Sequence, residues 1–162
     1  MWKLAEFSVE NGHSIFFLGA KPGVAEKASE KLRFRYPDLM ISGIHHGYFN
    51  KDENSLENRR VIRAINESQP DILLVAFGMP LQEKWLMANW DKVHAHVALT
   101  GGAVFDYISG SLQRGPRWMT DHGLEWLARL LIEPRRLWKR YLIGNPLFIY
   151  RVLRERIRGL LK

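Results

Sequence analysis

Short apolar runs and stretches of helical spacing alternate over the first 110 residues of the chain. The apolar runs predict four strands, at Ser14–Gly19, Leu39–Ile44, Asp71–Phe77 and Ala95–Thr100. Apolar residues three or four positions apart predict helices at Met1–Asn11, Pro22–Tyr36, Ser55–Ser68, Leu81–Trp90 and a short segment that ends near Ile108. Because strands and helices alternate and the strands are almost wholly apolar, the pattern predicts a parallel sheet with helices on both faces.

Ligands of such open α/β sheets bind beyond the carboxyl ends of the strands. A glycine-bearing loop follows each predicted strand, and together these loops contain Gly19, Lys21, Tyr48, Gly78, Pro80, Gly101 and Gly102. Glycine lets the backbone approach a ligand closely, and helix N-termini favour anions. No loop has the dinucleotide G-x-G-x-x-G spacing or a Walker P-loop. The loops therefore predict a phosphate-bearing ligand of unspecified kind.

The last third of the chain has helical spacing only. It divides at two prolines into predicted helices at 124–133, 134–142 and 147–161. In the last helix four basic residues lie within one arc and five aliphatic residues lie on the other side, although Arg156 breaks the pattern. Such a helix is typical of a membrane-surface element, but a helix packed on its own domain has the same pattern.

The charge of the chain separates the same two parts. Residues 1–110 hold 12 basic and 13 acidic side chains, whereas residues 111–162 hold 12 basic and 4 acidic ones. The net charge of +7 therefore comes from the tail and predicts an anionic partner for it. We accordingly predict an α/β core at 1–110 and a basic amphipathic helical appendage at 111–162.

Other bulk features restrict the classes of protein. The chain has no cysteine, which excludes disulfides and thiolate metal sites. No apolar run approaches the roughly 20 residues that a membrane-spanning helix needs. A basic tail with interleaved Trp and Tyr also allows a nucleic-acid binder, but no nucleic-acid motif is present, and we expect none as a partner.

Three polar residues at predicted helix starts allow two interpretations each. Gln82 and Glu83 follow a strand, so they either cap the helix, where a carboxylate contributes roughly 0.3–1 kcal/mol, or bind a sugar or diphosphate oxygen. Asp106 either lies on an ordinary helix face or accepts hydrogen bonds from a nucleotide. Neighbouring His45 and His46 would point to opposite faces of a strand, so we expect no metal site there.

Seven stretches in fixed order resemble one family. They are the segments that begin GAKPGVAEKA at 19, HHGYF at 45, PDILLVAFGMPLQEKW at 70, GGAVFD at 101, GLEWLARL at 123, EPRRLWKRYL at 133 and GNP at 144. Together they resemble the WecG/TagA/CpsF family of bacterial glycosyltransferases, and the resemblance runs along the whole chain.

The resemblance implies a Rossmann-like core at 1–110 that binds a nucleotide sugar and a helical appendage at 111–162 that associates with the membrane. It also implies a peripheral enzyme of the cytoplasmic membrane face that builds wall teichoic acid or another cell-envelope polymer. It would transfer N-acetylmannosamine or a related sugar from a UDP donor, with inversion and without a metal, to undecaprenyl-diphosphate-linked N-acetylglucosamine. The UDP-sugar is a substrate, so no cofactor is implied. Donor sugar, acceptor and oligomeric state stay open, a homo-oligomer included.

The same resemblance implies roles for particular residues. Gln82, Arg129 and Arg136 would act at the reaction centre, with the two arginines on the donor diphosphate in place of a metal. Glu83 and Asp106 would bind substrate with the loop residues named above. Family members carry an upstream Asp that is the suggested general base, and we expect this chain to lack it. The alternative is therefore a non-catalytic module that binds UDP-sugar or tethers a partner to the membrane.

Overall fold

The computed structural model describes residues 1–112, 119, 122, 124–132 and 134–160. The chain forms two compact units, Met1–Leu112 and Gln113–Lys162. The first unit is an α/β sheet with helices, and the described part of the second is helical.

The elements of the first unit lie close to their predicted positions. Its strands are Ile15–Gly19 (β1), Ile41–His45 (β2), Ile72–Ala76 (β3) and Val97–Thr100 (β4). Its helices are Trp2–Asn11 (α1), Val24–Arg35 (α2), Leu56–Ser68 (α3), Leu81–Asn89 (α4), which continues into a 3₁₀ turn at Trp90–Lys92, and Val104–Ser109 (α5). In the second unit α6 spans Glu125–Ile132, α7 spans Pro134–Trp138, and a π-helical segment at Lys139–Gly144 leads into α8 at Asn145–Leu160.

The four strands form one parallel sheet in the order β2-β1-β3-β4. The register places Phe17 of β1 opposite Ile44 of β2 and Leu74 of β3. Alternate side chains of β1 and β3 point to opposite faces. Phe17 packs in the cluster with α1, α2 and α5, and Phe16 packs in the cluster with α3 and α4. The predicted parallel sheet with helices on both faces is therefore confirmed.

Burial is less even than the apolar strand sequences predict. The central strands β1 and β3 are buried along their whole length, but every residue of β2 is only partly buried. In β4, Val97 is 49% and Leu99 is 37% exposed. β2 and β4 are less buried than β1 and β3 because they are the edge strands of the sheet.

A closed polar network in the core fixes α4 against α3. The Trp85 indole N–H donates to the Asn58 side-chain oxygen at 2.7 Å, and Asn58 donates to the Asn89 side-chain oxygen at 2.8 Å. Asn89 then donates to the carbonyl oxygen of Trp85 at 2.8 Å. All three residues are at most 2% exposed, so each partner left unpaired would cost about 1–3 kcal/mol. This network determines where α4 begins relative to the sheet.

Asp71 joins the amino ends of three strands. One of its carboxylate oxygens accepts hydrogen bonds from the backbone N–H and the hydroxyl of Ser14, both at 2.8 Å, and the other lies 3.3 Å from His96 Nδ1. The two Ser14 hydrogen bonds lower the pKa of Asp71 below its ordinary value of 3.8, partial burial opposes them, and the charges of His13 and His96 assist. The ionised carboxylate is thus the form that the fold stabilises.

The lowered pKa makes Asp71 a source of pH-dependent stability. A carboxyl whose pKa falls on folding stabilises the fold above its unfolded pKa, and this contribution is lost as the pH falls through the folded value. We expect Asp71→Asn to lower the melting temperature at pH 7 and to narrow the gap to wild type as the pH falls below about 4. Thermal unfolding followed by circular dichroism at several pH values measures that gap.

Asp38→Asn is the matched control. It makes the same chemical change at an exposed residue outside the strand ends. Its melting temperature should follow that of wild type at every pH. A gap for Asp71→Asn that stays constant from pH 7 to pH 3 contradicts the role given to its charge.

Candidate functional site

Four glycine-bearing loops meet at the carboxyl edge of the sheet. The loops after β1 and β3 lie side by side, and the helices that follow them go to opposite faces, since α2 packs with one core cluster and α4 with the other. A position where neighbouring strands send their connections to opposite faces leaves a crevice, and open α/β sheets bind ligands there. The candidate site is therefore this edge.

The loops after β1 and β2 touch through two glycines. Gly47 donates its N–H to the Ala20 carbonyl oxygen at 2.8 Å. A Cβ at Gly47 would lie 2.9 Å from the Phe77 ring and 3.2 Å from the Gly19 Cα, and a Cβ at Gly19 would collide with the Ala76 carbonyl. Only glycine fits at both positions, so the backbones of three loops pack directly on one another.

Gln82 holds the loops after β3 and β4 together. Its side-chain oxygen accepts the N–H of Gly78 at 3.2 Å and the N–H of Gly102 at 3.1 Å. Its side-chain nitrogen donates to Glu83 Oε1 at 2.8 Å, and the residue is only 3% exposed. Both lone pairs of the amide oxygen are therefore used within the protein. The structure places Gln82 inside the wall of the site and connects it to two of the predicted loop glycines.

Glu83 has a different position from Gln82 in the same helical turn. One of its carboxylate oxygens accepts from Gln82, while the other, Oε2, is buried and has no hydrogen-bond partner among the described residues. A buried carboxylate oxygen without a donor is uncommon, because it loses water without a replacement. Of the two residues, Glu83 is the one with an unused acceptor.

The other predicted site residues of the first unit also lie in the loops or helix starts at this edge. Gly101 donates its N–H to the Val75 carbonyl oxygen at 2.8 Å, and Asp106 is partly buried in the first turn of α5. The exposed residues are Lys21, Tyr48 and Pro80, and the last follows a cis peptide bond. The edge thus carries both enclosed backbone and accessible side chains.

The two predicted arginines lie in the second unit. Arg129 belongs to α6 and Arg136 to α7, but their side chains lie outside the described residues. Their contact with the donor diphosphate therefore stays a prediction.

Lys51 was not predicted from the sequence, and it lies at the same edge. It is partly buried in the loop after β2 and donates to the carbonyl oxygens of Gly47 and Phe49. A lysine within a polar K-D-E-N stretch has no sequence signal that separates it from a solvated one. Only the three-dimensional position of the carbonyls reveals it.

The prediction that the two histidines at the end of β2 point to opposite faces is wrong. His45 and His46 do not diverge, since their ring centroids are 4.6 Å apart. His46 lies beyond the end of β2, where strand alternation no longer applies. Among the described residues no group of three or more His, Asp or Glu side chains is placed to hold a metal ion.

The fold and this edge define a doubly wound α/β protein with a ligand crevice at the carboxyl ends of its strands. The profile of the Glycosyl transferase WecG/TagA/CpsF family matches residues 1–161. The chain belongs to this family, as its motifs predicted.

Three similar proteins come from strains of Staphylococcus aureus, and each is named N-acetylglucosaminyldiphosphoundecaprenol N-acetyl-beta-D-mannosaminyltransferase. The proteins of strains MRSA252 and NCTC 8325 / PS 47 are 31% identical to the chain over 148 residues, and that of strain MW2 is 30% identical over 148. Each match covers 90% of the chain and 54% of the relative. The chain spans about half the length of these curated relatives.

The hydrogen bond between the side chains of Gln82 and Glu83 requires a donor on one of them. Gln82→Glu keeps an acceptor for Gly78 and Gly102 but places a second carboxylate where the donor nitrogen lies, 2.8 Å from Glu83 Oε1. Two carboxylates this close repel, so we expect a loss of about 2 kcal/mol in the free energy of unfolding at pH 8. The loss should be smaller at pH 5, because lower pH favours protonation and a protonated carboxyl removes the repulsion. Urea unfolding at both pH values measures it.

The double variant Gln82→Glu/Glu83→Gln is the matched control. It exchanges the amide and the carboxylate, so a donor again faces an acceptor and most of the lost stability should return. If the single variant unfolds at the same urea concentration as wild type, the paired arrangement described here is contradicted.

Proposed function

We propose that the chain is the donor-binding part of a glycosyltransferase that uses a UDP-sugar. The family match supports sugar transfer, and the names of the relatives support N-acetylmannosamine as the sugar and undecaprenyl-diphosphate-linked N-acetylglucosamine as the acceptor. The observation that carries the proposal is the edge where Gln82 joins the loops after β3 and β4. That edge is where open α/β sheets bind nucleotides.

The proposed reaction is a single displacement with inversion. The acceptor hydroxyl oxygen forms a bond to the anomeric carbon of the sugar while the bond to the UDP β-phosphate oxygen breaks, and UDP leaves with that electron pair. The acceptor proton goes to a general base, a role that the proposal gives to none of the described residues. Each part of the site then has to hold the donor in line for this attack.

The residues divide this task by their chemistry. Glu83 Oε2 and the Asp106 carboxylate are acceptors for sugar, ribose or uracil donors. Tyr48 offers an exposed ring in the loop after β2. Arg129 and Arg136 supply the positive charge that the leaving diphosphate needs, and guanidinium groups bind phosphate oxygens in pairs without a metal. Metal independence is part of the proposal.

The second unit is proposed to hold the enzyme on the cytoplasmic face of the membrane. On α8 the large apolar side chains are exposed, with Phe148 at 67% and Leu153 at 53%, and the arginines Arg151 and Arg154 lie on the same helix. Exposed apolar area next to basic residues is what an interfacial helix uses to bind anionic lipid. In the part of the chain that the structure describes, no helix has the length and apolar character to span a bilayer.

UDP binding tests the donor assignment. We expect the chain to bind UDP, and we expect Arg136→Ala to weaken binding by about 2 kcal/mol, or roughly thirtyfold, because a charge-assisted contact to the diphosphate is lost. Isothermal titration calorimetry measures the dissociation constants in buffer with and without a chelator. Arg156→Ala, which removes the same charge from α8, should leave the constant unchanged. A wild-type chain that ignores UDP contradicts the proposal.

Vesicle binding tests the membrane assignment. We expect the chain to bind vesicles that contain phosphatidylglycerol and to lose about 2 kcal/mol, roughly thirtyfold, when Arg151→Gln and Arg154→Gln are combined, since each basic residue near the surface contributes about 1 kcal/mol. Flotation at low and high salt measures the bound fraction. The pair Arg59→Gln/Arg63→Gln on α3 is the charge-matched control. Binding to single-stranded oligonucleotides instead of vesicles would favour the nucleic-acid interpretation.

A further inference from the structure

The ammonium group of Lys51 is enclosed by backbone and aromatic rings. It donates to the carbonyl oxygen of Gly47 and to that of Phe49, the latter at 3.3 Å. It also lies 4.4 Å from the centre of the Phe49 ring and 4.6 Å from that of Phe77, which is cation–π distance. Two carbonyls and two ring faces therefore surround a single positive charge.

No described carboxylate forms an ion pair with Lys51, since the ion pairs found among those residues join Lys92 to Glu53 and His96 to Asp71. Partial burial lowers the pKa of Lys51 below its ordinary value, because desolvation disfavours the charged form. The hydrogen bonds to two carbonyls and the contacts with two rings favour the charged form and oppose the effect of desolvation.

The two carbonyls lie on either side of one residue, Tyr48. Lys51 thus closes a ring around the segment 47–49, and Tyr48, which is 65% exposed, is at its outer end. The Tyr48 N–H is satisfied from the other side by His46 Nδ1 at 3.2 Å. The backbone before and after Tyr48 is therefore held, which fixes the position from which its side chain leaves the loop.

The same enclosure joins the loops after three strands. Gly47 donates to Ala20 in the loop after β1, and Phe77, whose ring is beside the ammonium, directly precedes Gly78 in the loop after β3. Lys51 holds the carbonyl of Gly47 and packs on Phe77 at once. Moving it would displace the inner side of the crevice between β1 and β3.

We propose that Lys51 is a positioning residue of the candidate site at the carboxyl edge of the sheet. Its ammonium ties the segment 47–49 to the loops after β1 and β3 and so presents Tyr48 to the nucleotide of the donor. This inference rests on the proposed function for the identity of the ligand. The contacts by which Lys51 ties these loops together, called the Lys51 latch, do not depend on the identity of the ligand. Methylene groups of the same length do not replace it, because they cannot donate to two carbonyls.

The absence of cysteine allows the charge to be tested apart from the length of the side chain. Lys51→Cys introduces the sole thiol of the chain. Alkylation with 2-bromoethylamine rebuilds a lysine-length side chain with an ammonium, and alkylation with 2-bromoethanol builds one of similar length with a neutral hydroxyl. Lys51 lines an open groove of about 400 Å³ between its loop and α4, so the reagents reach the site.

We expect the Lys51→Cys and hydroxyethyl forms to bind UDP about tenfold more weakly than wild type, and the aminoethyl form to recover most of that affinity. Calorimetry gives the dissociation constants, and thermal unfolding in parallel shows that each form is folded at the temperature used. Lys84→Cys, which lines the same groove, is treated with both reagents as the control and should bind UDP as wild type does.

Amide hydrogen exchange separates failure of this inference from failure of the proposed function. Exchange at residues 47–49 should be faster in the hydroxyethyl form than in the aminoethyl form, whether or not UDP is present. Equal exchange in the two forms, or equal UDP affinity with wild type, overturns the role of the ammonium. A wild-type chain that does not bind UDP overturns the ligand, and exchange then still decides whether the latch exists.

Discussion

The amide oxygen of Gln82 accepts backbone N–H groups from two different loops. The geometry of the candidate site depends on these two hydrogen bonds. Four strands end at that edge, and each loop leaves backbone groups that no strand or helix satisfies. Filling the edge with side chains would satisfy them but would also close the crevice. Two side chains of the protein satisfy some of these groups instead. Gln82 accepts from the loops after β3 and β4, and Lys51 donates to carbonyl oxygens of the loop after β2.

The positions of the two loops that Gln82 joins depend on the position of the helix that carries it. Gln82 lies in the first turn of α4, and α4 is fixed three residues later by the buried network of Trp85 with Asn58 and Asn89. Buried polar groups of this kind are costly when they are half satisfied, so the network admits one position of α4 against α3. The core of the protein thus sets the spacing of two loops at its surface.

The sequence predicts the elements well and the edge strands poorly, for a physical reason. Apolar runs and helical spacing report which side chains avoid water, and β1, β3 and their helices follow that rule. The run that forms β4 is equally apolar, yet Val97 and Leu99 are exposed because the position of a strand within a sheet is a tertiary property. The motifs likewise locate the site but not its contacts, because Lys51 interacts with carbonyl groups that no side-chain pattern records.

The stretch F-G-M-P-L-Q-E-K-W shows why a residue in a shared motif need not be one that touches the ligand. Gly78 and Gln82 are four positions apart, which lets the side chain return to the backbone at the start of its own helix. Once Gly102 takes the second lone pair, the amide oxygen has no capacity for a substrate. Loss of Gln82 would nevertheless move both loops, because its amide oxygen holds a backbone N–H of each. The unused acceptor in this motif is instead Glu83 Oε2, the buried oxygen left without a donor among the described residues.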